Sequence, residues 1–164
     1  MNYKIVQLSQ FSGYHAGIYS IFLEDEQQTL FERFLKENIN SFKSEIIDIN
    51  KRLKTINNKT GAREQFFKSK EGILGDGISA LFDLPDSNLR LYCIRYGNSL
   101  VILGGGGYKQ KNFKAFQEDN KLTSENYLLR NISKQITERI KDKEIQFSDD
   151  GTEIFGNLEF NDYE

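Results

Sequence analysis

Apolar positions along the chain fall into short strand-like runs interrupted by two helical stripes. Residues 3–8 (YKIVQL) read as a short strand, and 18–23 (IYSIFL) as a strand or buried turn. Within 27–38, Leu30, Phe31, Phe34 and Leu35 form one helical face. A longer stripe over about 41–57 places Phe42, Ile46, Ile49, Leu53 and Ile56 at alternating spacings of four and three. Ser41 is its candidate N-cap, with Ser44 and Glu45 in the first turn. The segment 60–68 reads as a short helix or a capped turn.

Three further strands follow at 78–84, 89–95 and 100–103. Pro85-Asp86-Ser87-Asn88 and Tyr96-Gly97-Asn98 mark the turns between them. Tight turns make these strands an antiparallel meander. Its apolar face should receive the two helices, a two-layer α+β arrangement on a small antiparallel sheet. Beyond residue 111, a helix at about 124–143 carries Leu128, Ile132, Ile136 and Ile140, with Ser124 as N-cap. The tail suggests a hairpin around Asp149-Asp150-Gly151. The expected organisation is thus a core domain over 1–111 and an acidic C-terminal extension over 112–164, packed on that core.

Charge sharpens this division. The net charge is only −2, but residues 1–50 carry −3, residues 51–111 carry +6 and residues 112–164 carry −5. A local positive field between negative flanks is what attracts a polyanion; a solvated mixed surface accounts for the same pattern equally well. No apolar run is long enough to span a membrane, and MNYKIVQLSQ has no signal-peptide pattern, so a cytoplasmic location is expected. The single cysteine, Cys93, excludes an internal disulfide and reads as a quiet core thiol. One histidine, His15, and scattered acids offer no metal-ligand cluster, and no cofactor is expected.

The segment from Leu89 to Lys111, LRLYCIRYGNSLVILGGGGYKQK, holds the candidate chemistry. Two apolar strands carry Arg90 and Arg95, and a glycine run delivers Tyr108, Lys109 and Lys111. Buried guanidinium groups must be paired or solvated, so these cations suggest a shallow anionic site at a hairpin end. The run Gly104–Gly107 fits neither dinucleotide nor P-loop spacing. It reads instead as unusual dihedrals or close backbone packing. With Arg63, Lys68 and Lys70, these residues form a basic-aromatic set. Arginine can hold a phosphate bidentately, and lysine or tyrosine can move the proton of a 2′-hydroxyl. Alternation along a strand puts Arg90, Tyr92 and Ile94 on one face and Leu91, Cys93 and Arg95 on the other, so the two arginines have different jobs unless a bulge intervenes.

This order of elements resembles the RelE/ParE/HigB toxin superfamily, in particular its HigB-like branch, over about residues 3–111. The resemblance rests on the helix pair at 27–57, GAREQFFKSKEG, ISALFDL, LRLYCIRY and VILGGGGYKQK. Arg90 matches the arginine opening the penultimate core strand. Lys109 and Lys111 match the terminal lysines, although Gln110 splits a pair that is often adjacent and the glycine run is unusual.

The resemblance implies a RelE-like fold with a C-terminal helix and hairpin added. It also implies metal-independent cleavage of mRNA, often on the ribosome, leaving a 2′,3′-cyclic phosphate or 3′-phosphate. Arg90, Lys109, Tyr108, Arg63 and Lys111 would then be catalytic, and Lys68, Lys70 and Arg95 would bind RNA. The implied partner is a cognate antitoxin of helix-turn-helix type; a homo-oligomer is open. Two alternatives stand beside it: a non-catalytic module of the same fold that binds an antitoxin-like protein or nucleic acid, and a gyrase inhibitor.

Overall fold

A computed structural model describes residues 1–63, 67–68, 77–82, 84–109 and 120–161. The fold is α+β, built on one eight-stranded sheet and a separate two-stranded hairpin. The strands are β1 (Tyr3–Gln7), β2 (Gly17–Leu23), β3 (Gln28–Thr29), β4 (Phe67–Lys68), β5 (Ile78–Leu81), β6 (Leu89–Tyr96), β7 (Leu100–Tyr108), β8 (Ile145–Phe147), β9 (Ile154–Gly156) and β10 (Glu159–Phe160). The helices are α1 (Leu30–Asn38), α2 (Lys43–Thr55) and α3 (Asn120–Lys141). Strand order in the sheet is β10-β1-β2-β7-β6-β5-β4, with β3 paired to β2. All pairings are antiparallel except β2 with β7, which is parallel over Gly17–Ser20 and Leu100–Leu103.

The expectation of two layers is corrected to three. Helices α1 and α2 press Phe31, Phe34, Ile46, Ile49 and Leu53 against Leu91, Cys93, Val101 and Leu103. On the other face, α3 presses Leu122, Leu129, Ile132 and Ile136 against Tyr92, Ile94, Leu100 and Ile102. The reason lies in β6 and β7, whose residues are apolar on both faces. A strand buried on one side alternates, whereas one covered on both sides reads as a continuous apolar run.

Parallel pairing of β2 and β7 ends at Ser20 and Leu103, and α1 enters at that point. The Ser20 hydroxyl donates to the Leu103 carbonyl (2.7 Å) and accepts from the Phe31 amide (3.3 Å). Thr29 caps α1 in a capping box with Glu32, whose amide reaches the threonine oxygen at 3.0 Å. Helix α2 differs from its expected start: Phe42, not Ser41, is the N-cap residue, and it makes no side-chain cap bond. A π-helical turn, Ile56–Thr60, extends α2 to Gly61, whose φ of +72° reverses the chain.

Helix α3 starts at Asn120, earlier than Ser124, and Ser124 is an exposed residue within it. Its buried stripe is Leu122, Glu125, Leu129, Ile132, Ser133 and Ile136, while Leu128 and Ile140 are only partly buried. The tail forms the expected hairpin, β8 with β9, and then adds β10 to the sheet edge. There Tyr3 stacks on Phe160 at 4.6 Å, and Arg139 lies 3.6 Å over the opposite ring. Residues beyond 111 therefore supply one cover of the sheet and one of its edge strands.

Candidate functional site

The register of β6 with β7 assembles three of the sequence-expected residues. Leu89 pairs with Tyr108 and Arg90 with Gly107, so Arg90, Tyr108 and Lys109 stand at the same open end of the hairpin, with Arg90 and Tyr108 on opposite faces of the sheet. Arg90 alternates with Tyr92 and Ile94 toward α3. Tyr108 lies on the α2 side, 42% exposed, its ring stacked on Phe42 at 5.3 Å and 18°. Lys109 follows as a partly buried residue. Its amide donates to the Asn88 carbonyl (2.7 Å), and its ammonium to Leu84 O (2.7 Å) and Ser87 Oγ (2.9 Å). The lysine thereby ties the end of β7 to the turn that starts β6.

That turn is held from its other side by α2. Glu45 accepts from the amides of Asn88 (2.8 Å) and Leu89 (3.1 Å) and from Asn88 Nδ2 (2.7 Å). Next to it lies a cavity of 230 Å³, walled by Ile49, Leu81 and Leu89 with Asp48 and Arg52 at its rim. Sequence reasoning missed Glu45, Phe42 and Asn88 as parts of this region. Their signals are non-local: Glu45 looks like a first-turn helix acid, and Asn88 like a turn residue.

Arg63 and Arg95 stand at the other end of the sheet. Arg95 donates twice to the Ala62 carbonyl, from Nε (3.2 Å) and Nη2 (3.0 Å), and also to Asn98 Oδ1. It clamps the β6–β7 turn to the chain leaving α2. Arg63 is exposed, with Nε 3.3 Å from the Thr60 carbonyl. Arg90 and Arg95 are five strand steps apart, about 17 Å, and the two face opposite ways, so they cannot grip the same phosphate. Lys68 lies in β4, and Lys70 and Lys111 lie outside the described residues. The basic set thus splits between two ends of β6.

The glycine run resolves as close packing. Gly104–Gly107 continue β7, and none of the four has a positive φ. The pairing skips from Leu91–Gly106 to Cys93–Leu103, so Tyr92 faces both Gly104 and Gly105 across a bulge. A Cβ at Gly104 would come 2.7 Å from Leu129, one at Gly105 2.3 Å from Glu125 Oε2, and one at Gly106 1.9 Å from the Arg90 carbonyl oxygen. The run is a seat for α3 and for the backbone of β6.

Seated there, Glu125 is 3% exposed and binds Arg33 Nη2 (2.6 Å) and Lys121 Nζ (2.8 Å) through one oxygen. Arg33 also holds Glu26 at 2.8 Å, and Lys121 holds Glu37 at 3.1 Å. Burial alone would lower the Lys121 pKa, but hydrogen bonds and charge from Glu125 and Glu37 outweigh it and raise the value. Among the described residues, Glu125 Oε2 and Arg33 Nε are buried with no hydrogen-bond partner. This network links α1 to α3 and was not legible as a site.

Cys93 is fully buried, and desolvation pushes its thiol far above the ordinary range, so it is no nucleophile. His15 is exposed. Among the described residues no group of three or more His, Cys, Asp or Glu side chains is placed to hold a metal ion, and no helix is long and apolar enough to cross a membrane. Comparison with protein-family models, with curated proteins and with solved structures finds no match for this chain.

Proposed function

We propose that the chain is a toxin-like endoribonuclease that cleaves mRNA at the ribosome, as the toxin half of a type II toxin–antitoxin pair. The observation that supports this reading is the placement of Arg90, Tyr108 and Lys109 at the same open end of β6 and β7. An arginine, a half-exposed phenol ring and a lysine within two cross-strand positions can serve a phosphodiester and the base beside it. The element order supports it as well: the helix pair α1 and α2 follows the N-terminal strands and precedes the meander β5–β6–β7, the succession on which the resemblance rests.

In this mechanism the 2′-hydroxyl of RNA attacks the adjacent phosphorus and the 5′-oxygen leaves with a proton. The products are a 2′,3′-cyclic phosphate and a free 5′-hydroxyl. Arg90 binds the phosphate and stabilises its growing charge. Tyr108 stacks on a splayed base or meets the hydroxyl. Lys109 adds positive charge and holds the Leu84–Asn88 turn in place. A helix-turn-helix antitoxin would restrain the activity, and an mRNA target places its action in the cytoplasm.

A second reading is favoured by one observation. The Lys109 ammonium already has two protein acceptors, which suits a binding module whose lysine is architectural. Induced expression in a bacterial host with mapping of transcript 5′ ends, on and off ribosomes, separates the two. An endoribonuclease yields new ends with the wild type and none with R90A/K109A. Unchanged transcripts with folded wild-type protein would favour the binding module.

A further inference from the structure

Helix α2 opens without the cap its sequence could supply. Phe42 stands at the N-cap with no side-chain cap bond, and its amide, the group that Glu45 at the third helical position would accept in a capping box, donates to the Asn38 carbonyl at 2.9 Å. Glu45 turns away from its own helix end. Its Oε1 accepts from the amides of Asn88 and Leu89, and its Oε2 from the Asn88 side chain. With the Phe42 amide already satisfied by Asn38, the Glu45 carboxylate is committed wholly to the tertiary contact.

What Glu45 holds is the approach to Arg90. Leu89, whose amide it accepts, immediately precedes Arg90. Asn88, whose amide and side chain it accepts, receives the Lys109 amide on its carbonyl at 2.7 Å. Beyond Arg90, β7 closes in so tightly that Gly106 has no room for a Cβ against the Arg90 carbonyl. The Arg90 backbone is fixed between a carboxylate clamp on one side and a glycine on the other.

We infer that Glu45 is a positioning residue for the Arg90–Tyr108–Lys109 site, setting where Arg90 meets the phosphate. The inference deepens the endoribonuclease reading and rests on it for its effect on activity. Glu45 is not the base that takes the 2′-hydroxyl proton. Three N–H donors already converge on its two oxygens, whereas a base needs a lone pair facing the substrate.

The conservative variant separates these roles. In E45Q the amide oxygen keeps both backbone donors, and the Asn88 side chain turns over to accept from the new NH₂ group. E45A loses all three bonds, and N88A loses only the side-chain one. Rates are measured on the full-length chain with ribosome-bound mRNA, at a temperature where circular dichroism shows each variant folded. Cleavage should stay within about threefold of wild type in E45Q and fall about tenfold or more in E45A, with N88A between, since misplacement of a binding group by about 1 Å can cost ~100-fold. Because Glu45 acts through Arg90, E45A/R90A should be no slower than R90A beyond about threefold, a non-additivity that independent damage to stability would not give.

Amide hydrogen exchange reads the same clamp without any activity. Protection of the Lys109 amide should drop in E45A and persist in E45Q. Unchanged protection in E45A, E45Q as slow as E45A, or additive losses in the double variant would overturn the inference. If R90A is impaired and E45A is not, the inference alone falls. If R90A cleaves like wild type, the endoribonuclease reading falls, and the role of Glu45 in that activity falls with it.

Discussion

Replacing Gly106 by alanine tests the packing account of the glycine run most sharply. The added methyl would lie 1.9 Å from the Arg90 carbonyl oxygen, 2.9 Å from its carbon and 3.0 Å from the Leu91 Cα. All three are backbone atoms of the neighbouring strand, so no side chain can swing aside. Either β6 and β7 separate or the bulge shifts. Overpacking of this kind costs about 1–3 kcal/mol, and a lost ladder hydrogen bond adds about 1 kcal/mol. The lower entropy of unfolded alanine offsets about 0.4–1 kcal/mol.

The net expectation for Gly106→Ala is therefore a destabilisation of about 1–4 kcal/mol, or a Tm lowered by roughly 2–14 °C for a chain of this size. Gly107→Ala is the control. Its Cβ would approach Lys121 Cγ at 3.2 Å and Leu122 Cδ2 at 3.8 Å, both side-chain atoms, so its stability should stay equal or rise by up to about 1 kcal/mol. Urea unfolding followed by circular dichroism measures both, with an unchanged m-value as the condition for comparing midpoints. A Gly106→Ala protein as stable as wild type, or a Gly107→Ala protein that is the less stable of the two, would refute the reasoning.

Other consequences follow from the same contacts. Arg33→Met leaves Glu125 buried with Lys121 as its remaining cation and should lower unfolding free energy by about 2–4 kcal/mol, while the R33M/E125L pair recovers most of it; a neutral R33M in urea unfolding would contradict this. Burial raises the pKa of the Tyr3 and Tyr96 phenols. Their folded values thus lie above the unfolded value of about 10, so stability is whole below pH 10 and declines above it by up to about 1.4 kcal/mol per pH unit for each phenol. Absorbance at an alkaline phenolate band, read against unfolding, checks the sign: both rings should ionise only as the protein unfolds. The Tyr96 hydroxyl is buried with no hydrogen-bond partner among the described residues, so Tyr96→Phe should be neutral or stabilising by up to about 1 kcal/mol. Cys93 should resist a thiol reagent in the folded protein and react on unfolding; fast labelling of native protein would count against the buried thiol.

Much of the fold was legible because its signals are local. Leu30, Phe31 and Phe34 marked α1, the alternating spacings of four and three marked α2, and Pro85–Asn88 and Tyr96–Asn98 marked the turns of the meander. Alternation also separated Arg90 from Arg95 correctly, since the bulge opposite Tyr92 adds its extra residue to β7 and leaves the phase of β6 intact. What escaped depends on distant chain. Glycine has little strand propensity, so β7 seemed to end at Leu103; the reason for Gly104 and Gly105 is α3, which lies on them. Glu125 interrupts an apolar stripe; Lys121 stands one turn before it on α3, but Arg33 becomes its neighbour only through the tertiary fold. The parallel pairing of β2 with β7 leaves no mark in either strand.

The same limit governs the candidate site. Residue type and strand position picked out Arg90, Tyr108 and Lys109, whose backbones lie at one end of the β6–β7 hairpin. Charge alone grouped Arg63 and Arg95 with them, although Arg95 is committed to Ala62 and Asn98 at the far end of β6. Glu45 was invisible as a contributor because an acid in the first turn of a helix ordinarily serves that helix.

The most direct test of the endoribonuclease reading is the chemistry of the cut ends. Purified full-length protein is incubated with ribosomes programmed with a defined mRNA, in the presence of a chelator, beside folded R90A. The account predicts fragments ending in a 2′,3′-cyclic phosphate or its 3′-phosphate product, with 5′-hydroxyl partners, formed by wild type and not by R90A. Intact mRNA with wild-type protein, or equal cutting by R90A, would contradict it.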